Sequence, residues 1–68
     1  MSQTSTYTVT GMTCGHCVAS VTEEVQEIAG VEKVEVDLPT GAVTITSAAP
    51  LDEATVRAAV EEAGYQVA

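Results

Sequence analysis

Positively charged side chains are almost absent from this sequence of 68 residues. Lys33 and Arg57 are the only two, against ten carboxylates, and the formal net charge is −8. Proteins that bind nucleic acid or anionic membrane surfaces need clusters of lysine and arginine to neutralise phosphate charge. The composition therefore excludes nucleic acid and anionic membranes as partners, and it favours protein partners that present a basic face.

Long apolar segments and large aromatic side chains are also missing. The sequence contains no Phe or Trp, and its apolar stretches are far shorter than the ~20 residues that span a bilayer. Residues 1–8 have neither the basic start nor the apolar centre of a signal peptide. We therefore expect a cytoplasmic protein that makes no contact with a membrane.

The short chain limits what the protein can enclose. A chain of about 60 residues buries only roughly 60% of its unfolded surface, which leaves room for one thin core and no substrate cavity. The hydrophobic content of 46% is nevertheless enough for folding. We expect a single domain over residues 1–68 that is not an enzyme and whose function lies on a loop or at the end of an element.

Periodic apolar residues divide the chain into six elements. Alternation predicts strands, and apolar residues at spacings of three and four predict helices. Asp52 is expected to be the N-cap of the second helix. Residues 38–41 are expected to form a type I turn, and residues 2–5 are expected to be a frayed segment before the first strand. The predicted elements are a strand at 6–10, a helix from Val18 that Gly30 ends, strands at 31–38 and 42–46, a helix from Asp52 that Gly64 ends, and a strand at 65–67.

The order of these elements predicts the fold class. Strand, helix and strand occur twice in succession, which is typical of the ferredoxin-like βαββαβ sandwich. We therefore expect an α+β protein with a four-stranded antiparallel sheet and two helices on one face.

The only two cysteines, Cys14 and Cys17, lie in a loop predicted to run over residues 11–17. Because cytosolic thiols stay reduced, such a pair is typical of a metal site or a redox centre. The gap of two residues lets both sulfurs face one ion if the backbone turns, and Gly15 is expected to permit that turn. Free amides and the positive end of the following helix would favour the thiolates that soft ions bind.

A thiol oxidoreductase is an alternative, because the same features suit a redox dithiol. However, a thioredoxin-like domain has helices on both faces of its sheet and needs a longer chain. The tryptophan and proline that flank its cysteines are also missing beside Cys14. The sequence therefore favours metal binding.

The segment Gly-Met-Thr-Cys-Gly-His-Cys at residues 11–17, followed by a helix, resembles the heavy-metal-associated domain family. This family includes bacterial copper chaperones and the N-terminal modules of copper-transporting P-type ATPases. The similarity extends over about residues 6–67. It includes the segments at 30–31, 34–38, 41–43 and 63–65.

The resemblance implies a copper chaperone with an exposed Cu(I) ion held by Cys14 and Cys17. Cu(I) accepts two soft ligands, whereas Zn(II) prefers four. The implied acceptor is the metal-binding domain of a copper-transporting P-type ATPase, with a copper-responsive repressor as a second candidate partner. The metal-free protein is expected to be a monomer, and the copper-bound protein could form a dimer in which copper bridges two copies. A detached ATPase module and a zinc- or mercury-binding protein are the alternatives.

Four residues near the cysteines are expected to support the site. Thr13 matches the loop of copper-binding members, whereas members that favour zinc often carry an acidic residue at this position. The resemblance implies that Met12 packs under the loop and that Tyr65 lies beside it. His16 is expected to face solvent, although its place between the cysteines also makes it a candidate third ligand.

Overall fold

A computed structural model describes residues 2–68, and Met1 lies outside this range. The described chain forms six elements in the predicted order. They are β1 (Gln3–Thr10), α1 (Gly15–Gln26), β2 (Val31–Asp37), β3 (Ala42–Ser47), α2 (Glu53–Glu62) and β4 (Gln66–Val67).

The four strands form one antiparallel sheet in the order β2-β3-β1-β4. Helix α1 packs against β2 and α2, and α2 packs against β4. The predicted ferredoxin-like fold is confirmed. Neither helix within residues 2–68 combines the length and the apolar content that crossing a bilayer requires.

Strand β1 starts earlier than the alternation of apolar residues indicated. Gln3 pairs with Ser47 and Ser5 pairs with Ile45, so residues 3–5 of the segment expected to be frayed are part of the sheet. This prediction was wrong because polar residues have little tendency to form an isolated strand, whereas pairing with β3 satisfies their backbone groups.

Helix α1 is also displaced from its predicted bounds. It begins at Gly15, so Cys17 belongs to its first turn and not to a loop. It ends at Gln26, and Gly30 is not its cap. With φ of +91°, Gly30 lies in the following turn, and its carbonyl accepts a 2.8 Å hydrogen bond from the amide of Ala48.

Within residues 2–68, the buried hydrophobic side chains are all β-branched aliphatic ones. Each helix contributes two valines to it at a spacing of four, as predicted. Asp52 caps α2 as predicted, because its carboxylate accepts a 2.9 Å hydrogen bond from the amide of Ala54. The core residues, each at most 3% exposed, are Val9, Val21, Val25, Val43, Ile45, Val56 and Val60.

The turn between β2 and β3 is attached to the end of β1. Its closing hydrogen bond runs from the amide of Gly41 to the carbonyl of Asp37 at 2.8 Å, so it spans one residue more than the predicted type I turn. Gly41 has φ of +77° and accepts a 2.8 Å hydrogen bond from the amide of Val9. A Cβ at position 41 would lie 2.6 Å from the Val9 carbonyl oxygen, so only glycine fits without a shift.

Candidate metal centre

Cys14 and Cys17 bring their sulfurs together at the start of α1. Cys14 is the N-cap and Cys17 is the third helical residue, and a spacing of three places both side chains on one side of the turn. Their Sγ atoms are 3.6 Å apart, and both thiols are free. An ion that makes metal–sulfur bonds of about 2.3 Å can therefore contact both sulfurs at once.

The helical turn, and not a special glycine conformation, creates this arrangement. The carbonyl of Cys14 accepts hydrogen bonds from the amides of Cys17 at 3.1 Å and Val18 at 3.2 Å. Gly15 is helical, its φ is not positive, and a Cβ there would meet nothing within 4 Å. The expectation that Gly15 supplies the necessary backbone freedom was wrong, because ordinary helical geometry already sets the spacing.

Cys17 lies in a cluster of hydrogen-bond donors that stabilises its thiolate. Four groups near its sulfur favour the charged form: in decreasing order, the amide of Thr13, the hydroxyl of Tyr65, the thiol of Cys14 and the amide of Cys14. Together they lower the pKa of Cys17 to about 6, although partial burial acts in the opposite direction. The Thr13 hydroxyl oxygen is also 3.9 Å from this sulfur. The site therefore holds a ready nucleophilic or metal-binding thiolate at neutral pH.

The end of α2 places Tyr65 over the cysteine loop. The amide of Gly64 bonds to the carbonyl of Glu61, and the amide of Tyr65 bonds to the carbonyl of Val60. This pair of bonds is a Schellman motif, and it requires the positive φ of +96° at Gly64. The hydrogen bond to Cys17 raises the pKa of Tyr65, and so do burial and the charges of the two cysteines.

Gly11 is a part of the site that sequence reasoning did not single out. Its φ is +92°, and a Cβ there would lie 3.3 Å from Cδ1 of Tyr65. The aromatic ring therefore rests against the backbone of the loop just before Met12 and the cysteines. A glycine at the end of a strand could have signalled a close backbone approach, but only the fold shows which side chain makes it.

Met12 and His16 differ in burial. Met12 is half-buried and packs against the core, whereas His16 is exposed on the first turn of α1. Within residues 2–68, no group of three or more His, Cys, Asp or Glu side chains is placed to hold a metal ion. The donor set at this centre is thus two sulfurs, with Thr13 and Tyr65 around Cys17.

Comparisons with known proteins agree with this geometry. The sequence profile of the heavy-metal-associated domain matches residues 6–66. The chain is 42% identical over 65 residues to the copper chaperone CopZ of Enterococcus hirae, a match that covers 88% of each protein. It is 37% identical over 59 residues to copper-transporting ATPase 1 of Rhizobium meliloti, covering 87% of this chain and 7% of that protein.

A solved structure of a CopZ metallochaperone has the same fold. It superposes with a TM-score of 0.90 at 30% identity, and the match covers 97% of this chain and all of that one. The two-sulfur centre, the element order and the match of the family profile over most of the sequence lead to one conclusion. This chain belongs to the heavy-metal-associated domain family.

Proposed function

We propose that this protein is a copper chaperone of the cytoplasm that binds Cu(I) through Cys14 and Cys17. The observation that carries the proposal is the 3.6 Å separation of two free sulfurs at a helix start. The copper chaperones among its relatives support copper as the cargo. The protein binds and releases the ion and performs no catalysis, and residues 1–68 act as a single domain.

The donor set favours Cu(I) over zinc. Cu(I) is soft and accepts low coordination by thiolates, whereas a structural Zn(II) site needs four ligands. The described residues offer two thiols and no group of three or more His, Cys, Asp or Glu side chains placed to hold a metal ion. The same thiolates would also bind mercury. Zn(II) is therefore the competitor that separates a copper site from a zinc site in a metal titration.

Neighbouring residues would hold the sulfurs in place. Thr13 and Tyr65 would favour the thiolate of Cys17, and Met12 would support the loop from the core side. His16, which is exposed, is not a ligand in this proposal.

Release would proceed by exchange of thiolate ligands. Cys14 is exposed and Cys17 is half-buried, so an incoming thiolate has easier access on the Cys14 side. The incoming thiolate forms a bond to copper, one bond to this chain breaks, and the copper stays Cu(I). The acceptor would be a metal-binding domain of a copper-transporting ATPase, a class of protein in which part of the chain is similar to this one.

A detached module of such an ATPase is the second candidate function. The similarity to a small part of copper-transporting ATPase 1 favours it, since that part covers 87% of this chain. The length of the native transcript decides between the two functions. A transcript that continues into membrane-spanning segments would show that this sequence is a module of an ATPase and not a chaperone.

Anaerobic titration followed by native mass spectrometry tests the proposed metal site. We expect one Cu(I) per monomer at low loading, retained in the presence of excess Zn(II). Replacing Cys14 or Cys17 by serine should weaken binding by orders of magnitude while circular dichroism shows an unchanged fold. Near-native Cu(I) affinity in the Cys17→Ser protein, or preferential retention of Zn(II), would contradict the proposal.

A further inference from the structure

The distance between the two sulfurs sets the bond angle at any atom that they share. They lie 3.6 Å apart, whereas two metal–sulfur bonds of about 2.3 Å in a straight line would separate them by about 4.6 Å. At the observed distance, two bonds of this length meet at an angle of about 100°. As folded, Cys14 and Cys17 are therefore placed for an atom with a bent arrangement of bonds, and a linear ion requires the sulfurs to move apart.

The number of donors narrows the class of ligand further. Both thiols are free, and no group of three or more His, Cys, Asp or Glu side chains within residues 2–68 is placed to hold an ion. The site thus supplies two bonds at one bent angle. The ligand that matches it has two exchangeable positions, and its third position is already filled.

Trivalent arsenic with one carbon substituent has this bonding pattern. Arsenic(III) makes three bonds in a pyramid, at angles a little larger than a right angle, and its bonds to sulfur are about as long as those of zinc. We infer that Cys14 and Cys17 also form a binding site for arsenicals with one organic group, R–As(OH)₂. This inference goes beyond copper transport, because it concerns a second class of ligand for the two sulfurs and does not depend on Cu(I) binding.

The binding reaction needs no oxidant or reductant. Each sulfur replaces one hydroxyl group on arsenic, so two As–S bonds form and two As–O bonds break. The two thiol protons leave with the hydroxyl groups as two molecules of water, and arsenic stays trivalent. After the first bond has formed, the second thiol reacts within the same molecule, which strengthens binding over that of a single thiol by about 10²–10⁴-fold.

The surroundings of the sulfurs can accept this uncharged ligand and its substituent. Residues 10–22 and 63–68 contain no Asp, Glu, Lys or Arg, so the ligand covers no charged side chain of these segments. Cys14 and Gly15 are exposed, and a Cβ added at Gly15 would meet nothing within 4 Å. There is thus open space beside the pair for the carbon substituent.

Methylarsonous acid, CH₃As(OH)₂, is the probe, and a relocated cysteine provides the matched control. The reduced apo-protein is titrated anaerobically in the absence of other thiols, and native mass spectrometry counts the bound arsenic. The control Cys17→Ser/Ala19→Cys keeps two thiols, since position 19 is exposed on α1. A spacing of five residues turns the two side chains about 140° apart around a helix, so their sulfurs do not share one atom.

We expect the wild type to gain one CH₃As group and to lose two hydrogens, with both thiols protected from alkylation. Its affinity for methylarsonous acid should exceed that of the control by about 10²–10⁴-fold. Inorganic arsenite should bind the wild type more weakly, because one of its three exchangeable positions finds no thiol.

Equal affinity of the wild type and the control for methylarsonous acid would overturn the inference, and so would two arsenic atoms per monomer at low loading. Arsenite bound as tightly as methylarsonous acid would overturn the ligand class. If circular dichroism shows that the control has unfolded, the Cys14→Ser protein, which retains Cys17 alone, gives the same comparison.

A Cu(I) titration separates this inference from the proposed function. Bound methylarsonous acid should block the uptake of Cu(I), because both ligands use the same sulfurs. A protein that takes up Cu(I) and no methylarsonous acid would overturn the inference and leave the copper chaperone intact. A protein that takes up methylarsonous acid and no Cu(I) would support the inference and overturn the copper chaperone.

Discussion

The hydroxyl of Tyr65, just past the end of α2, lies near the sulfur of Cys17 in the first turn of α1 and lowers the pKa of that thiol. The same ring rests against the backbone of Gly11. Tyr65 thus contacts both sides of the cysteine loop, through its hydroxyl on one side and its ring on the other. These two roles can be separated by mutation.

Replacing Tyr65 by phenylalanine removes the hydroxyl and keeps the ring. We expect the pKa of Cys17 to rise, because its second-largest source of stabilisation is lost. The rate of alkylation of the reduced apo-protein, measured against pH, should shift accordingly, with several-fold slower modification near neutral pH. Tyr7→Phe on β1 is the control and should leave the curve in place. Overlapping curves for wild type and Tyr65→Phe would show that the hydroxyl does not stabilise the thiolate.

The low pKa of Cys17 also makes the stability of the apo-protein depend on pH. The folded thiol has a pKa of about 6 against an ordinary value of 9.0, so between these values the unfolded chain binds more protons. The stabilisation is therefore fully present above pH 9 and is lost as the pH falls through 6. We expect the Tm to rise from pH 6 to pH 9 under reducing conditions. The Cys17→Ser protein should show a clearly flatter profile, and identical profiles would contradict this account.

Two glycine-to-alanine substitutions should have opposite effects on stability. At Gly41 the new Cβ would lie 2.6 Å from the Val9 carbonyl oxygen at a positive φ, and such strain costs about 1–3 kcal/mol. At Gly15 the Cβ enters open space in a helix, where alanine is preferred by up to about 1 kcal/mol. Urea unfolding of both variants measures the difference. A Gly41→Ala protein as stable as wild type would mean that the turn can shift away from β1.

His16 distinguishes a two-sulfur site from one with a nitrogen ligand. Since its side chain is exposed and thiolates dominate binding of a soft ion, His16→Ala should change Cu(I) affinity little. X-ray absorption of the Cu(I) form should show the same sulfur shell before and after the substitution. Loss of a nitrogen shell in the variant would make His16 a ligand.

The sequence was informative wherever one local signal determines the structure. The cap at Asp52 depends on one side chain that bonds to a nearby backbone amide. The end of α2 at Gly64 depends on one residue that adopts a positive φ. The start of β1 at Gln3 was missed because only pairing with β3 orders that polar segment. The resemblance implied that Tyr65 lies beside the loop, but its contact with Gly11 could not be derived from the residues, since it joins segments that are far apart in the sequence.

The cysteine pair shows both the strength and the limit of such reasoning. The spacing of Cys14 and Cys17 was sufficient to predict that they would meet. It could not show that Cys17 lies inside the helix, because this depends on where α1 begins. Propensities place a helix terminus only to within one or two residues.

The N-cap of α1 has a consequence for how the ion is released. Cys14 makes no side-chain hydrogen bond to the helix, whereas the serine, threonine or aspartate usual at this position would stabilise the first turn by about 1 kcal/mol. Helix ends without such a cap fray first. Cys17 lies inside α1, so fraying at this end would move the sulfur of Cys14 relative to that of Cys17. The terminus proposed to bind the ion would therefore also be the part of the helix that opens first, and a weak cap would make it easier for the two ligands to separate.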